Sequence, residues 1–151
     1  MRGVTIVRER ADHAEAIALI EELESVLSPS YAPESRHGYS VDKLIKEGVH
    51  FFVARMAGKP AACGGIQFYE DFGELKRMYV RDAWRGQGLG FAMLEHLAKH
   101  ARANGCALLR LETGIHQHEA IKLYQRWGFG RIEAFPPYKP DPVSIFYEKR
   151  L

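Results

Sequence analysis

The chain has 151 residues, 46% of them hydrophobic and 26% charged, with a formal net charge of +2. That length suits one domain, residues 1–151, burying roughly two-thirds of the surface its unfolded chain exposes. So small a net charge gives no reason to expect nucleic acid or an anionic membrane as a partner.

The N-terminus, Met-Arg-Gly-Val-Thr-Ile-Val, has no long apolar run, so neither a signal peptide nor a membrane span is expected. Residues 4–8 are rich in β-branched side chains and predict a short first strand. Asp12, with Glu15 three residues on, predicts a capped helix start, and Ile17, Ile20, Leu23 and Leu27 then recur at helical spacing. Pro29 and Pro33 end that helix and begin an ordered loop, with a second short helix over 41–47. Strands are expected at 49–56 and 61–69 around an Ala57-Gly58 turn, with a bulge at Gly64-Gly65. Cys63 and Cys106 form no Cys-x-x-Cys pair and sit among apolar neighbours, so they read as buried thiols of a reducing cytosol. The expected location is cytoplasmic.

Asp71-Phe72-Gly73 turns the chain into a strand over 74–80, and a glycine-rich segment follows: Arg85-Gly86-Gln87-Gly88-Leu89-Gly90. The next helix runs over 89–104, with Leu94, Leu97, Ala98 and Ala101 as its buried stripe and Asn104-Gly105 as its stop. A strand at 107–113, a helix at 119–127 stopped by Gly128, and strands at 130–133 and 143–149 complete the order β-α-α-β-β-β-α-β-α-β-β. Hairpin strands followed by crossover helices imply a mixed α/β sheet flanked by helices.

A glycine turn between a strand and a helix leaves backbone N–H groups converging at the positive end of a helix, an arrangement that binds phosphate. Two phosphate-loop patterns fail on the residues. No Lys-Ser or Lys-Thr follows the glycines, as a P-loop requires, and Phe91 stands where a dinucleotide fingerprint needs its third glycine. The spacing Arg85-x-x-Gly88-x-Gly90 instead resembles the acyl-CoA pyrophosphate loop of the GNAT family of N-acetyltransferases, and the element order matches that fold over nearly the whole chain.

The resemblance implies an α/β (α+β) GNAT fold with about seven strands and a splayed parallel pair that holds acetyl-CoA. Backbone groups of Met78, Tyr79 and Val80 would pair with pantetheine as an added strand does. Arg85 and the N–H groups of Gly86, Gln87, Gly88, Leu89, Gly90 and Phe91 would hold the pyrophosphate. Tyr124, in Ala120-x-x-Leu123-Tyr124-x-x-x-Gly128-Phe129, would protonate the departing thiolate, and a backbone N–H of the 78–80 segment would stabilise the oxyanion. Gln117 stands where the family often has asparagine reaching toward pantetheine. The resemblance also implies direct transfer in a ternary complex.

An alkylammonium has a pKa of about 10, so attack needs a base. Glu74 falls where several GNAT enzymes carry a catalytic glutamate, but it could equally be an exposed strand carboxylate. Glu112, at the end of the neighbouring strand, is the alternative, or a partner for Lys76 or Arg110. The acceptor pocket would be walled by Tyr31, Arg36, His37 and Tyr39 on one side and by Phe135, Tyr138 and Lys139 on the other. Arg36, His37, Arg77 and Tyr138 are the candidate acceptor contacts, suggesting a small primary amine bearing an acid, such as an amino acid. His96, His100, His116 and His118 read as surface residues without a metal-ligand set, so no metal is expected. Three other readings stay open: acetylation of a protein lysine or N-terminus, a non-catalytic acyl-CoA-binding module, and, more distantly, a nucleic-acid binder. A homodimer is compatible with the family.

Overall fold

The computed structural model describes residues 3–151. Seven strands form one mixed sheet in the order β1-β2-β3-β4-β5-β7-β6. They are β1 (Val4–Arg8), β2 (His50–Met56), β3 (Lys59–Phe68), β4 (Gly73–Val80), β5 (Leu108–Gly114), β6 (Gly130–Ile132) and β7 (Ser144–Arg150). The helices are α1 (Ala14–Leu27), α2 (Val41–Lys46), α3 (Leu89–Ala103) and α4 (His118–Trp127). The expected order holds, with single 3-10 turns added at Pro33–Ser35 and Asp82–Trp84.

Each face of the sheet carries its own apolar cluster. On one, Leu94, Leu97, Ala98 and Ala101 of α3 pack with Leu75, Leu109, Leu111 and Tyr124. On the other, Ala16, Leu19, Ile20 and Leu23 of α1 pack with Leu44, Phe51, Val53, Cys63 and Tyr79. The α1 stripe is thus rotated from the expected one, leaving Ile17 and Leu27 half-buried. Asp12 is no helix cap: His13 holds that position without a side-chain bond, while Asp12 accepts from Arg10 at 3.0 Å.

The expected bulge is present, but on the other strand. Cys63 pairs with Tyr79 and Gly65 with Lys76, so the extra residue belongs to β4, where Arg77 sits at φ +55°. Gly64 and Gly65 are needed for close approach instead. A Cβ at Gly64 would stand 2.7 Å from Met78 Sδ, and one at Gly65 2.8 Å from Val49 Cγ1. The bulge inverts the side-chain alternation of β4. Leu75 faces the α3 cluster, whereas Tyr79, four residues on, faces α1. Glu74 and Lys76, flanking Leu75, face the opposite side by ordinary alternation, Lys76 lying over the Tyr39 ring of the loop between α1 and α2.

His96 and His100 depart from the surface reading. They lie half-buried against Phe52, beside His50 packed on Phe68, and His50 Nδ1 is 2.8 Å from His100 Nε2. Burial first, with Arg8 next, holds His50 and His100 below the usual imidazole range. His116 and His118 are exposed as expected. Cys63 is buried and Cys106 half-buried, both free thiols. Among the described residues no helix is long and apolar enough to cross a membrane.

Candidate active site

β4 and β5 run parallel and pair only through Gly73 with Leu109 and Glu74 with Arg110. Beyond Glu74 the strands part, so the edge of β4 from Leu75 to Val80 has no strand beside it. An extended ligand can pair along such an edge through main-chain hydrogen bonds. Side chains do not interfere: Tyr79 points to α1, where its hydroxyl bonds Glu22 at 3.1 Å, and Met78 packs on the α3 cluster.

Next along the chain lies a set of unspent donors. Gly86 and Gly88 adopt φ of +77° and +80°, a left-handed conformation that L side chains rarely take. Among the described residues, no carbonyl or side chain accepts from the backbone N–H of any residue from Gly86 to Phe91, and the α3 ladder begins with Ala92 donating to Gly88. These groups form a concave cluster at a helix start, suited to a pyrophosphate. At Gly90 a Cβ would stand 2.7 Å from Leu123 Cδ2, so this glycine serves the contact between α3 and α4. Arg85 turns away from the donors: it pairs with Asp82 at 2.7 Å and donates to the Val80 carbonyl at 3.2 Å. Leu89 is buried, and Phe91 is largely exposed.

Where β4 and β5 separate there is an inner cavity of about 120 Å³, lined in part by Glu74, Met78, Glu112, Gln117 and Tyr124. Glu112 reaches it because β5 alternates, sending Leu109 and Leu111 to the α3 cluster and Arg110 and Glu112 to the opposite face. Its carboxyl accepts from the Ser144 hydroxyl at 2.9 Å, yet burial dominates and pushes it up to about 7. Burial, and then Glu112, also raise the Tyr124 phenol, whose hydroxyl takes no partner among the described residues. Gln117 stands at the start of α4, its amide oxygen 3.5 Å from the Tyr31 hydroxyl. Tyr31 in turn lies against Gly114, where any side chain would collide with its ring, and accepts from the His116 N–H at 2.9 Å.

An outer cavity of about 540 Å³ shares Arg36, His37, Gly38, Glu74, Lys76 and Tyr138 with the inner one. Glu74 is only 1% exposed, contrary to the exposed-carboxylate alternative. Its Oε2 pairs with Lys76 at 3.0 Å and accepts from Tyr138 at 2.5 Å, and Lys76 also donates to the Tyr138 hydroxyl at 3.0 Å. Arg77 also lines the inner cavity, its guanidinium pairing with Glu24 and donating to the Tyr39 carbonyl at 2.8 Å. Phe135 is no wall of either cavity. It is buried against Phe72, Tyr138 and Phe146.

Residues 17–129 match the profile of the acetyltransferase (GNAT) family. The chain belongs to that family. It is an acetyl-CoA-dependent N-acetyltransferase. It is 41% identical to the IAA acetyltransferase of Azospirillum brasilense, over 100% of both chains. Among solved structures, a candidate acyl-CoA N-acyltransferase from Klebsiella pneumoniae superposes with a TM-score of 0.83 at 40% identity, covering 98% of this chain and 97% of that one. A GNAT acetyltransferase from Elizabethkingia anophelis, solved with acetyl-CoA bound, shares the fold at TM-score 0.74 and 17% identity over 100% of both chains.

The fold of this GNAT enzyme therefore matches the expectation, splayed pair included. Glu74, Glu112, Tyr124 and Gln117 converge on one cavity, and Arg36, His37 and Tyr138 on the wall it shares with the next. One contributor went unread in the sequence. Ser144 bonds Glu112, but a serine opening a strand carries no signal of its partner. Lys76 and Arg110, the partners offered for Glu112, form ion pairs instead with Glu74 and Glu148.

Proposed function

We propose that this enzyme transfers the acetyl group of acetyl-CoA to the primary amine of a small molecule by direct attack. The single observation that carries this reading is the meeting of Glu112 and Tyr124 in one cavity at the point where β4 and β5 part. That cavity and the one adjoining it, about 120 and 540 Å³, are of a size for a small acceptor.

The open edge of β4 at Met78, Tyr79 and Val80 is available to pantetheine, and the free N–H groups from Gly86 to Phe91 to the pyrophosphate. Bound acetyl-CoA supplies an activated acetyl group and, on transfer, a thiol. Glu112, with its carboxyl near 7, is poised to take a proton from the acceptor ammonium at physiological pH. Glu74 is less free to serve as base, because Lys76 and Tyr138 both hold one of its oxygens. Tyr124 stays protonated throughout the neutral range and is available as the proton donor to the leaving sulfur. Arg85 adds positive charge beside the loop without aiming into it. Both apolar clusters share one sheet, which supports reading residues 1–151 as one catalytic domain.

A thermal-shift titration with acetyl-CoA, followed by a thiol-release screen over small amines, tests the reading. Stabilisation by acetyl-CoA together with turnover of a small amine is expected. Stabilisation with no turnover of any amine would leave a non-catalytic acyl-CoA-binding module.

A further inference from the structure

The wall shared by the two cavities holds unmatched groups of opposite character. Among the buried side-chain atoms without a hydrogen-bond partner are Arg36 Nε, His37 Nε2 and Glu74 Oε1. All three residues line both cavities. Buried polar atoms left unpaired are destabilising, so a persistent set at one place marks where a ligand completes them.

Charge points the same way. The Glu24 carboxylate serves two guanidinium groups, pairing directly with Arg77 and lying 3.7 Å from Arg36. One negative charge cannot balance two positive ones, and Arg36 keeps the surplus. Lys76 and Glu74 neutralise each other. Of the two further carboxylates lining the outer cavity, Glu34 and Asp141, the second accepts from the Ser35 hydroxyl at 2.9 Å and the Val143 N–H at 3.0 Å. The wall thus offers a guanidinium N–H at Arg36, a ring nitrogen at His37 and a carboxylate oxygen at Glu74, each without a partner.

Building on the acetyl-transfer reading, we propose that the acceptor is a zwitterion, a small primary amine that also carries a carboxylate. Arg36 Nε and His37 Nε2 receive the carboxylate, and Glu74 Oε1 receives the ammonium and holds it at the mouth of the inner cavity. Glu112, further in, then takes the proton. A plain amine would leave Arg36 Nε unpaired, and a plain acid would leave Glu74 Oε1 unpaired. Glu74 is in this scheme an acceptor-binding residue and Glu112 the base.

Matched acceptors test this: amino acids of several side-chain sizes, each beside its carboxamide and its decarboxylated amine, assayed by thiol release at saturating acetyl-CoA. The acid-bearing member should show kcat/KM about tenfold or more above its neutral partners, the difference lying in KM, as a lost hydrogen bond to a charged group implies. Arg36→Gln should collapse that ratio to within about twofold. In the unmodified enzyme, which needs no variant to fold, carboxylates of the same skeleton without the amine should compete with the acceptor and not with acetyl-CoA. Neutral partners turned over as well as the acids, or an Arg36→Gln loss equal for both members, would overturn this proposal while leaving the acetyl-transfer reading intact. Binding of acetyl-CoA without acetylation of any amine would remove both.

Discussion

The Ser144 hydroxyl donates a 2.9 Å hydrogen bond to Glu112 from the adjacent strand. That bond favours the charged carboxylate, while burial opposes it, and burial is the larger effect. Ser144→Ala removes the favourable part alone. The Glu112 carboxyl should then rise further, and the acid limb of kcat/KM should move to higher pH. A pH–rate profile of both proteins decides it, and an unmoved limb would detach Glu112 from the rate.

Glu112→Gln should lower kcat by about 10²- to 10⁴-fold, the usual contribution of a positioned base. It should also stabilise the protein at high pH. The folded-state value of about 7 lies above the ordinary 4.5. Below 4.5 the carboxyl is neutral in both folded and unfolded chains and stability is complete. As pH rises toward and through 7, the unfolded chain ionises more readily and stability is lost. Urea unfolding should therefore show the variant more stable than the parent at pH 8, by up to ~3 kcal/mol, with no such gain at pH 4.

Tyr124→Phe should depress kcat more than it changes the affinity for acetyl-CoA. The hydroxyl has no partner to lose among the described residues, and the ring keeps its contacts with Phe129 and Tyr147. Unfolding free energy should accordingly change by less than about 1 kcal/mol. Single-turnover kinetics beside a CoA titration separates the two effects, and unchanged turnover would end the proton-donor assignment.

Gly86→Val and Gly58→Val form a matched pair. Both glycines sit at φ +77° with open space around them. Each substitution should cost about 1–2 kcal/mol of folding stability through backbone strain. Only Gly86→Val should also weaken CoA binding, by tenfold or more, because it re-aims the free N–H groups. Calorimetric titration with CoA checks this, and equal effects in the two variants would refute the role of the loop.

Arg77→Ala should destabilise the fold by about 1–3 kcal/mol, chiefly because it leaves the Tyr39 carbonyl without its donor, while Glu24 keeps Arg36 nearby. Position 38 takes a glycine because the Arg77 guanidinium occupies the space a Cβ would need. Denaturant unfolding measures the loss. The arginine thus supports the loop between α1 and α2 that carries Arg36 and His37.

Local order decided much of this protein. The run from Glu74 to Gly90 and the pattern around Tyr124 each combine a periodicity with glycine or helix-stop chemistry, and both depend only on residues near one another in the chain. Strand, loop and helix therefore emerged where the sequence placed them, along with the family and the cofactor class. Tertiary structure alone decided what surrounds each charged side chain. Glu74 bonds Tyr138, sixty-four residues away, and the raised carboxyl of Glu112 reflects the burial that only folding brings about. The bulge at Arg77 turns on how two strands align, so the glycines opposite it mark its level and not its strand. Desolvation and ion pairing arise from the groups that folding brings around a side chain, and no stretch of sequence contains its own surroundings.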